Sequence, residues 1–278
     1  MDMAVNLAKP GFPVGVDQRT VEAATKWSEE HVLALHRWSP TLFSVRTTRS
    51  SAFRFTPGQF ARLGIVDEAG GALIWRAYSM ASANYDEHLE FFSILVPDGA
   101  FTSRLTNIAP GAPILVEKAS YGFLTADRFV GGRDLWLLAT GTGLAPFLSI
   151  LHDPAVWDKY ENIILVYSVR YASELAYQDE IAALPARELL RDGRAHLHYV
   201  PVVTREPVAG ALSARITQLI TEGRLEEVVG LPLEIEHSRL MICGNPQMAL
   251  DLREVLTGRG FRTGRRGVPG QLAFENYW

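Results

Sequence analysis

The sequence predicts an antiparallel β-barrel domain followed by a doubly wound α/β domain. Between residues 33 and 126, short segments rich in β-branched and aromatic residues alternate with turn signals. After Gly132, nearly continuous apolar strands alternate with helical segments, which is typical of a parallel sheet covered on both faces. The chain has 278 residues, 47% of them hydrophobic, which is enough for two cores. We therefore expect an extension at 1–29, the barrel at 30–130 and the α/β domain at 131–278.

The barrel half contains five predicted strands separated by turns. The turns contain Pro-Gly, Gly-Gly and Pro-Asp-Gly sequences, whose residues favour tight reversals of the chain. Short strands at this spacing indicate a small antiparallel barrel. The predicted strands are "TLFSVRTT", "FARLGIV", "ALIWRAYSM", "LEFFSILV" and "APILVEKA". A short helix is expected at "FTSRLTNI", and the N-terminal segment "RTVEAATKWSEE" is compatible with another one.

The second half alternates predicted strands with predicted helices. The strands are "DLWLLA", "NIILVYSV", "HLHYVPVVT" and "RLMICG". The helices are "LAPFLSILH", "ELAYQDEIAAL", "ARITQLITEG" and "PQMALDLREVLTGRG". Asp153 and Pro154 are expected to end the first helix, whereas Pro246 suits the first position of the last helix and Gly258 suits its end.

The composition excludes several classes of protein. With 31 acidic and 27 basic residues the net charge is −4, without the basic surplus of a nucleic-acid-binding protein. Cys243 is the only cysteine, so the chain forms neither an internal disulfide nor a cysteine-ligated cluster, and no metal site is expected. No apolar run approaches the ~18 residues of a membrane span, and no secretory signal is recognisable, so a cytoplasmic protein without a membrane partner is expected.

The segment "ATGTGLAPF" joins a buried strand to a helix in the second half. Gly141 and Gly143 allow backbone amides to approach a phosphate, and the helix N-terminus favours its negative charge. In open α/β sheets ligands bind at the carboxyl ends of strands, where this turn lies. The segment departs from the G-x-G-x-x-G pattern, so an ordinary tight turn stays open as a second interpretation.

Three arginines follow successive strands of the second half. Arg170 lies in "SVRYA", Arg205 in "VVTRE" and Arg215 in "LSARI". The planar guanidinium group suits phosphate recognition because it donates two hydrogen bonds at fixed angles. Arginines that converge at strand ends fit the 2′-phosphate of NADP, although each one alone also fits an ordinary solvated side chain.

The segment "RAYSMAS" ends a predicted strand of the barrel half. Arg76, Tyr78 and Ser79 offer a cation, a flat ring and a hydroxyl on a rigid element, and Ser82 adds a second hydroxyl. This set fits a flavin nucleotide, with the guanidinium at the pyrophosphate and the ring on the isoalloxazine. A strand edge with outward polar residues is the alternative.

In this order the motifs resemble the ferredoxin–NADP reductase family over roughly residues 30–278. "RAYSMAS" resembles the family's R-x-Y-S-x-x-S flavin signature, and "ATGTGLAPF" resembles its NADP pyrophosphate turn. "MICGNPQM" resembles the nicotinamide-side C-G motif, and "LEFFSILVPDGAFTSRL" the segment that supports the flavin and its diphosphate. The resemblance is to the bacterial type, with a Tyr-Trp tail similar to the enterobacterial branch. It implies an FAD-binding barrel and an NADP-binding α/β domain.

The resemblance implies distinct roles toward FAD for five residues. Arg76 would hold the pyrophosphate, Tyr78 would stack on the isoalloxazine, and Ser79 would place its hydroxyl near N5. Tyr277 would cover the second flavin face, and Trp278 would stack on the adenine. The other residues implied to contact FAD are Ala77, Phe92, Ile94, Ala100, Phe101, Thr102 and Thr142.

The resemblance also implies an NADP(H) site. Arg170, Arg205 and Arg215 would read the 2′-phosphate. Cys243 would lie beside the carbon that gives the hydride, and Glu275 would assist near the nicotinamide. The other residues implied to contact NADP(H) are Thr142, Gly143, Thr204, Gly244, Asn245 and Gln247.

The function implied is that of an FAD enzyme that passes a hydride between NADP(H) and flavin N5. The flavin would exchange single electrons with ferredoxin or flavodoxin, which are acidic partners, and the enzyme is expected to be a monomer. The basic run "GRGFRTGRRG" would steer these partners, although a solvated basic loop is an equal interpretation. The alternatives are the reductase component of an oxygenase and a non-catalytic redox sensor that binds flavin and NADP.

Overall fold

The computed structural model describes residues 26–66, 71–265 and 268–275. The first sheet has six antiparallel strands in the order β4-β3-β6-β1-β2-β5. Its edge strands β4 and β5 approach each other at a bridge between Met80 and Phe91, so the sheet curls into a half-barrel. The strands are β1 (Trp27–Arg37), β2 (Leu42–Thr48), β3 (Phe60–Val66), β4 (Leu73–Ser79), β5 (His88–Ile94) and β6 (Pro113–Glu117).

Strand β1 contradicts the end of the helix considered for "RTVEAATKWSEE", whose residues 19–25 lie outside the described ranges. Trp27 to Glu30 belong to β1, and Trp27 pairs with Glu117 of β6. In this part of β1 Glu30 and Val32 are buried, whereas Glu29 and His31 are not. Buried Glu30 accepts a hydrogen bond of 2.6 Å from the hydroxyl of Thr48. Because the charged residue Glu30 occupies an inward position, the sequence of β1 does not show the alternation of apolar and polar residues that is typical of a strand.

The second sheet is parallel, with the order β11-β10-β7-β8-β9. Alternate residues of β7 enter two different cores, with Leu135 and Leu137 on one face and Trp136 and Leu138 on the other. Both faces are therefore covered, and the predicted fold class is confirmed. The strands are β7 (Asp134–Thr140), β8 (Asn162–Val169), β9 (His196–Val203), β10 (Ser238–Cys243) and β11 (Leu272–Glu275).

Three of the helices differ from expectation, one of them being Arg224–Val229, which no predicted segment covers. Asp153 and Pro154 do end α2, but they also begin α3, because the Asp153 carboxylate accepts a hydrogen bond of 3.0 Å from the Ala155 amide. The helix predicted at "ELAYQDEIAAL" begins late, because Tyr177 adopts a φ of 61°. The helices are α1 (Thr102–Leu105), α2 (Ala145–Leu151), α3 (Pro154–Lys159), α4 (Gln178–Ala183), α5 (Ile216–Thr221), α6 (Arg224–Val229) and α7 (Pro246–Gly258).

The two sheets share one hydrophobic core where they meet. Leu42 and Phe92 from the half-barrel pack in the same buried cluster as Leu144, Ala145 and Tyr177 of the parallel-sheet domain. This contact lies beside the turn that follows β7. The shared core therefore fixes one edge of the half-barrel against the carboxyl ends of the parallel strands.

Among the described helices none is both long and apolar enough to cross a membrane. Within the ranges that the structure describes no group of three or more histidine, cysteine, aspartate or glutamate side chains could hold a metal ion.

Candidate active site

Two glycine turns pack against each other at the carboxyl ends of β7 and β10. A Cβ atom on Gly143 would lie 2.3 Å from the carbonyl oxygen of Cys243. Gly244 has a φ of +131°, and a Cβ there would lie 2.2 Å from the Thr140 hydroxyl. The amide of Asn245 donates to that hydroxyl at 2.8 Å. Both positions require glycine, and the contact leaves the two turns facing one cleft.

A cavity of about 270 Å³ lies between the half-barrel and these two turns. Every residue predicted for FAD contact within the described ranges lines it, together with Gly143 and Gly244. Ser93, Val96 and Gly99 belong to the segment predicted to support the flavin but were not among the predicted contact residues, and neither was Ala145. The lining residues are Arg76, Ala77, Tyr78, Ser79, Phe92, Ser93, Ile94, Val96, Gly99, Ala100, Phe101, Thr102, Thr142, Gly143, Ala145 and Gly244.

The polar groups of this smaller cavity are arranged for a ligand with an aromatic ring and a charged end. The Ser79 hydroxyl is buried and has no hydrogen-bond partner within the described part of the chain. The Tyr78 ring packs against Phe101 with 5.6 Å between centroids, and its hydroxyl lies 3.2 Å from that of Ser93. Burial raises the pKa of Tyr78, so its hydroxyl stays protonated. Arg76 is exposed and supplies a positive charge.

A larger cavity of about 850 Å³ extends over the carboxyl ends of β7 to β10. It meets the smaller one at Thr142 and Ile94, which line both cavities. Seven of the residues predicted for NADP(H) line it, whereas Gly143 and Gly244 line only the smaller cavity. The seven are Thr142, Arg170, Thr204, Arg205, Arg215, Asn245 and Gln247.

The three arginines of the larger cavity are held differently. Arg170 is paired with Glu174, with 2.5 Å between Nη2 and Oε1, and its own amide donates to Oε2 at 2.9 Å. Burial raises the pKa of Glu174, but the hydrogen bonds from Arg170 outweigh it and lower that pKa below its usual range. Arg205 and Arg215 also line the cavity. They have no ion-pair partner among the described residues.

Cys243 and Glu275 are neighbours in register on β10 and β11. The Cys243 thiol is fully buried. Burial raises its pKa, and the Glu275 carboxylate raises it further, so the thiol is neutral. The Glu275 carboxylate also approaches the turn at Gly122, where a Cβ atom would lie 2.6 Å from Oε1. Cys243 and Glu275 are not among the residues that line the two cavities. Gly244, which follows Cys243 in the sequence, lines the smaller cavity.

The side chains of Asn245 and Gln247 are engaged within α7. The side-chain carbonyl of Asn245 caps the helix by accepting hydrogen bonds from the backbone amides of Gln247 at 2.9 Å and Met248 at 3.2 Å. The side-chain amide of Gln247 donates a hydrogen bond to the carboxylate of Asp251 at 2.7 Å. These residues therefore shape the cavity by fixing the start of the helix. Their predicted contact with the nicotinamide stays a prediction, and Tyr277 and Trp278 lie outside the described residues.

Several residues of the larger cavity were missed by sequence reasoning. Glu174 stands four residues after Arg170, and this spacing brings the two charges together. The ion pair could therefore have been predicted from the sequence. Ser168, Ser213 and Thr217 carry no such signal, because only the sheet order brings them to one cavity.

A half-barrel and a parallel-sheet domain share a cleft that contains close-packed glycine turns, with cavity-lining arginines over the ends of the parallel strands. This arrangement defines a two-domain dinucleotide-binding protein. Residues 137–254 match the family model described as the oxidoreductase NAD-binding domain.

Curated relatives are similar over most of the chain. Ferredoxin–NADP reductase A of Sorangium cellulosum is 47% identical over 90% of this chain and 89% of its own. The ferredoxin–NADP reductase of Pseudomonas aeruginosa is 46% identical over 88% and 95%. A crystal structure of a ferredoxin NADP+ reductase from Neisseria gonorrhoeae with bound FAD and NADP is 37% identical, with a TM-score of 0.84 over 91% of this chain and 99% of its own. The chain belongs to the ferredoxin–NADP reductase family, which confirms the resemblance found in its sequence.

Proposed function

We propose that the chain is an FAD-dependent oxidoreductase that moves electrons between NADP(H) and ferredoxin or flavodoxin. The observation that carries the proposal is the meeting of the two cavities at Thr142 and Ile94. A flavin in the smaller cavity and a nicotinamide nucleotide in the larger one would come together where the glycine turns pack. The similarity to a reductase that was crystallised with FAD and NADP supports this assignment.

The residues of the smaller cavity fit FAD. The buried Ser79 hydroxyl, without a partner among the described residues, is the group whose desolvation a hydrogen-bonding ligand would offset. Tyr78 would face the isoalloxazine ring and Arg76 the pyrophosphate. When bound, FAD supplies the redox chemistry, accepting a hydride from NADPH and giving up single electrons to a protein partner. The chain itself binds, orients and shields the reacting groups.

The residues of the larger cavity fit NADP(H). Arg205 and Arg215 have guanidinium groups without ion-pair partners in the described ranges, so they are ready to pair with a 2′-phosphate. Arg170 adds a third positive charge, which Glu174 holds in place. Cys243 would keep a neutral thiol behind Gly244 and support the nicotinamide by packing, since the raised pKa of the thiol opposes its ionisation.

We place the partner's approach beside the basic loop that follows α7. Arg262 and Arg265 are exposed, whereas Arg259 is held by Glu226 at 2.9 Å and by the carbonyl of Ile220. The first two are therefore the residues that would attract an acidic ferredoxin or flavodoxin. We further propose a cytoplasmic monomer, as the sequence predicts.

An oxygenase reductase component is the second candidate, since a ferredoxin reductase of carbazole 1,9a-dioxygenase is 25% identical with a TM-score of 0.67. This chain spans 69% of that one. With Cys243 as its single cysteine, this chain cannot ligate an iron–sulfur cluster of four cysteines. The observation favours a reductase that uses a separate electron carrier.

Purification and anaerobic reduction test the proposal. The protein should carry one FAD per chain, and NADPH should bleach the flavin spectrum under anaerobic conditions. The chain should then reduce cytochrome c only when ferredoxin or flavodoxin is added as a mediator. A colourless protein without FAD would overturn the whole proposal. A flavin that NADPH does not reduce would instead favour a redox sensor.

A further inference from the structure

The aromatic ring of Tyr177 crosses from the parallel-sheet domain into the half-barrel. It lies at the start of α4 and is buried at 3% exposure. Its centroid is 4.3 Å from the ring of Trp38 and 5.3 Å from that of Phe92, which it meets edge to face. Because Phe92 lines the smaller cavity, one residue of the parallel-sheet domain touches a wall of the flavin site.

The hydroxyl of Tyr177 makes a buried polar contact across the same boundary, where the Tyr85 hydroxyl also donates to the His152 carbonyl at 3.2 Å. The Tyr177 hydroxyl donates to Glu90 of β5 with an O–O distance of 2.7 Å. Glu90 is buried at 8% exposure, and its second carboxylate oxygen accepts two hydrogen bonds from Arg46, at 2.7 and 3.1 Å. A buried hydroxyl that meets a buried carboxylate is directional, so it fixes an orientation that apolar packing alone leaves open.

Glu90 is also joined to the end of the flavin signature. Its amide donates to the Ser82 hydroxyl at 3.1 Å, and its carbonyl accepts from the Ala81 amide at 2.7 Å. Ser79 lies two residues before Ala81 and Phe92 lies two residues after Glu90. The contact with Tyr177 therefore acts on the backbone that carries two walls of the smaller cavity.

The backbone of Tyr177 is itself unusual. Its φ of 61° lies in the left-handed region, which a bulky side chain rarely adopts. Such a conformation persists only where surrounding contacts determine it. Here those contacts are the two rings and the carboxylate of the half-barrel.

We infer that Tyr177 is a positioning residue that sets the larger, NADP-side cavity against the smaller, flavin-side cavity through Glu90. The inference rests on the proposed function. Hydride transfer requires the donor carbon and the acceptor atom within a narrow range of distance, so a small shift between the domains slows the step without removing either nucleotide.

The test uses Tyr177→Phe in the FAD-loaded full chain, because phenylalanine keeps both ring contacts and loses only the hydroxyl. Stopped-flow reduction of the bound flavin at saturating NADPH should slow by roughly tenfold or more, since misplacement of about 1 Å can slow a reaction by up to a hundredfold. FAD content and the dissociation constant of NADP+ should stay within about twofold of wild type. Glu90→Gln should slow the step similarly, and the double variant should be no slower than the worse single variant.

Hydrogen–deuterium exchange supplies a readout that does not depend on turnover. The amides of Ala81 and Glu90 should exchange several-fold faster in Tyr177→Phe, although the substitution lies in the other domain. Tyr160→Phe is the matched control, because this buried hydroxyl has no partner among the described residues. It should change neither the exchange at those two amides nor the rate of reduction.

Three results would overturn the inference. They are an unchanged rate with unchanged exchange, an equal slowing in Tyr160→Phe, and a Tyr177→Phe protein that loses its FAD or does not fold. A wild-type flavin that NADPH fails to reduce would count against the proposed function. In that case accelerated exchange in Tyr177→Phe would still support the contact between the domains.

Discussion

At the scale of single residues, the three arginines of the larger cavity differ in what holds them. Arg170 is fixed by Glu174, which occupies part of its hydrogen-bonding capacity. Arg205 and Arg215 are ready for a ligand, and the amide of Arg205 is fixed by the carbonyl of Arg170 at 2.9 Å. Discrimination between NADPH and NADH should therefore depend most on the latter two side chains.

Replacing Arg205 with alanine should weaken the use of NADPH alone. A charge-assisted hydrogen bond to a phosphate contributes about 1.5–3 kcal/mol, which corresponds to roughly a ten- to hundredfold rise in KM. The KM for NADH should stay nearly constant. Steady-state kinetics with both coenzymes measure this, and Arg191→Ala, an exposed arginine outside both cavities, is the control. Equal rises for both coenzymes would show that Arg205 does not read the 2′-phosphate.

Replacing Cys243 with alanine should slow the reduction of FAD by NADPH and leave FAD content unchanged. Under the proposed function the buried thiol would support the nicotinamide from behind Gly244, so its loss should loosen the nicotinamide and lower the rate by roughly tenfold. Single-turnover kinetics at saturating NADPH give this rate. If the rate is that of wild type, Cys243 serves only to fill the core.

The family resemblance predicts that the two aromatic residues at the end of the sequence, Tyr277 and Trp278, contribute to cofactor binding. A tryptophan ring buries on the order of 150–250 Å², and at about 25 cal/mol per Å² this amounts to a few kcal/mol at most. Deleting Trp278 should raise the dissociation constant of FAD, measured by flavin fluorescence on dilution. Tyr277→Ser should instead tighten nicotinamide binding and relax discrimination against NADH. Wild-type values for both quantities would remove the tail from the site.

At the scale of elements, the glycine turns after β7 and β10 connect the fold to the site. Their predicted place at the carboxyl ends of parallel strands agrees with the structure, and the close contact between Gly143 and Cys243 explains why position 143 cannot carry a side chain. Gly244 and Gly141 both have a positive φ, but only Gly244 has neighbouring atoms that a Cβ would meet. A comparison of substitutions at the two positions therefore separates the effect of packing from that of backbone strain.

Gly244→Ala should destabilise the protein far more than Gly141→Ala. At Gly244 a Cβ would meet the Thr140 hydroxyl at 2.2 Å with a φ of +131°, so the free energy of unfolding should fall by at least about 2 kcal/mol. At Gly141 no atom lies within 4 Å and φ is +54°, so the loss should be about 1 kcal/mol. Urea unfolding measures both values. Similar losses would mean that the turns do not depend on their mutual contact.

Most strands were predictable because their apolar patterns are local. The exceptions depend on partners that are distant in the sequence. Strand β1 places Glu30 inward beside Thr48, and β11 is a four-residue strand defined by its pairing with β10. The helix α6 begins after Gly223, a residue that the sequence suggested only as the end of the preceding helix.

The candidate site was predictable where a motif carries it and not where the fold assembles it. Arg76, Tyr78 and Ser79 come from one strand, so their meeting at one cavity follows from the sequence. The contact between Tyr177 and Glu90 joins residues 87 positions apart across two domains, and no local pattern announces it.

At the scale of the whole molecule, two domains share a core on one side and a cleft on the other. The shared core, which includes Tyr177, packs the two domains together, and the two cavities meet in the cleft at Thr142. Under the proposed function, this arrangement would let one chain take two electrons from a nucleotide and pass them singly to a protein partner. The same arrangement predicts that FAD and NADP(H) bind at once.

A double-mixing stopped-flow experiment under anaerobic conditions tests this claim most directly. The FAD-loaded chain is mixed first with NADPH and then with oxidised ferredoxin or flavodoxin, while the flavin absorbance is followed. We predict rapid loss of the oxidised flavin spectrum after the first mixing and its return after the second, with a much slower first phase when NADH replaces NADPH. Two results would contradict the proposed function: a flavin that NADPH leaves oxidised, and a flavin that stays reduced after mixing with oxidised ferredoxin and also after mixing with oxidised flavodoxin.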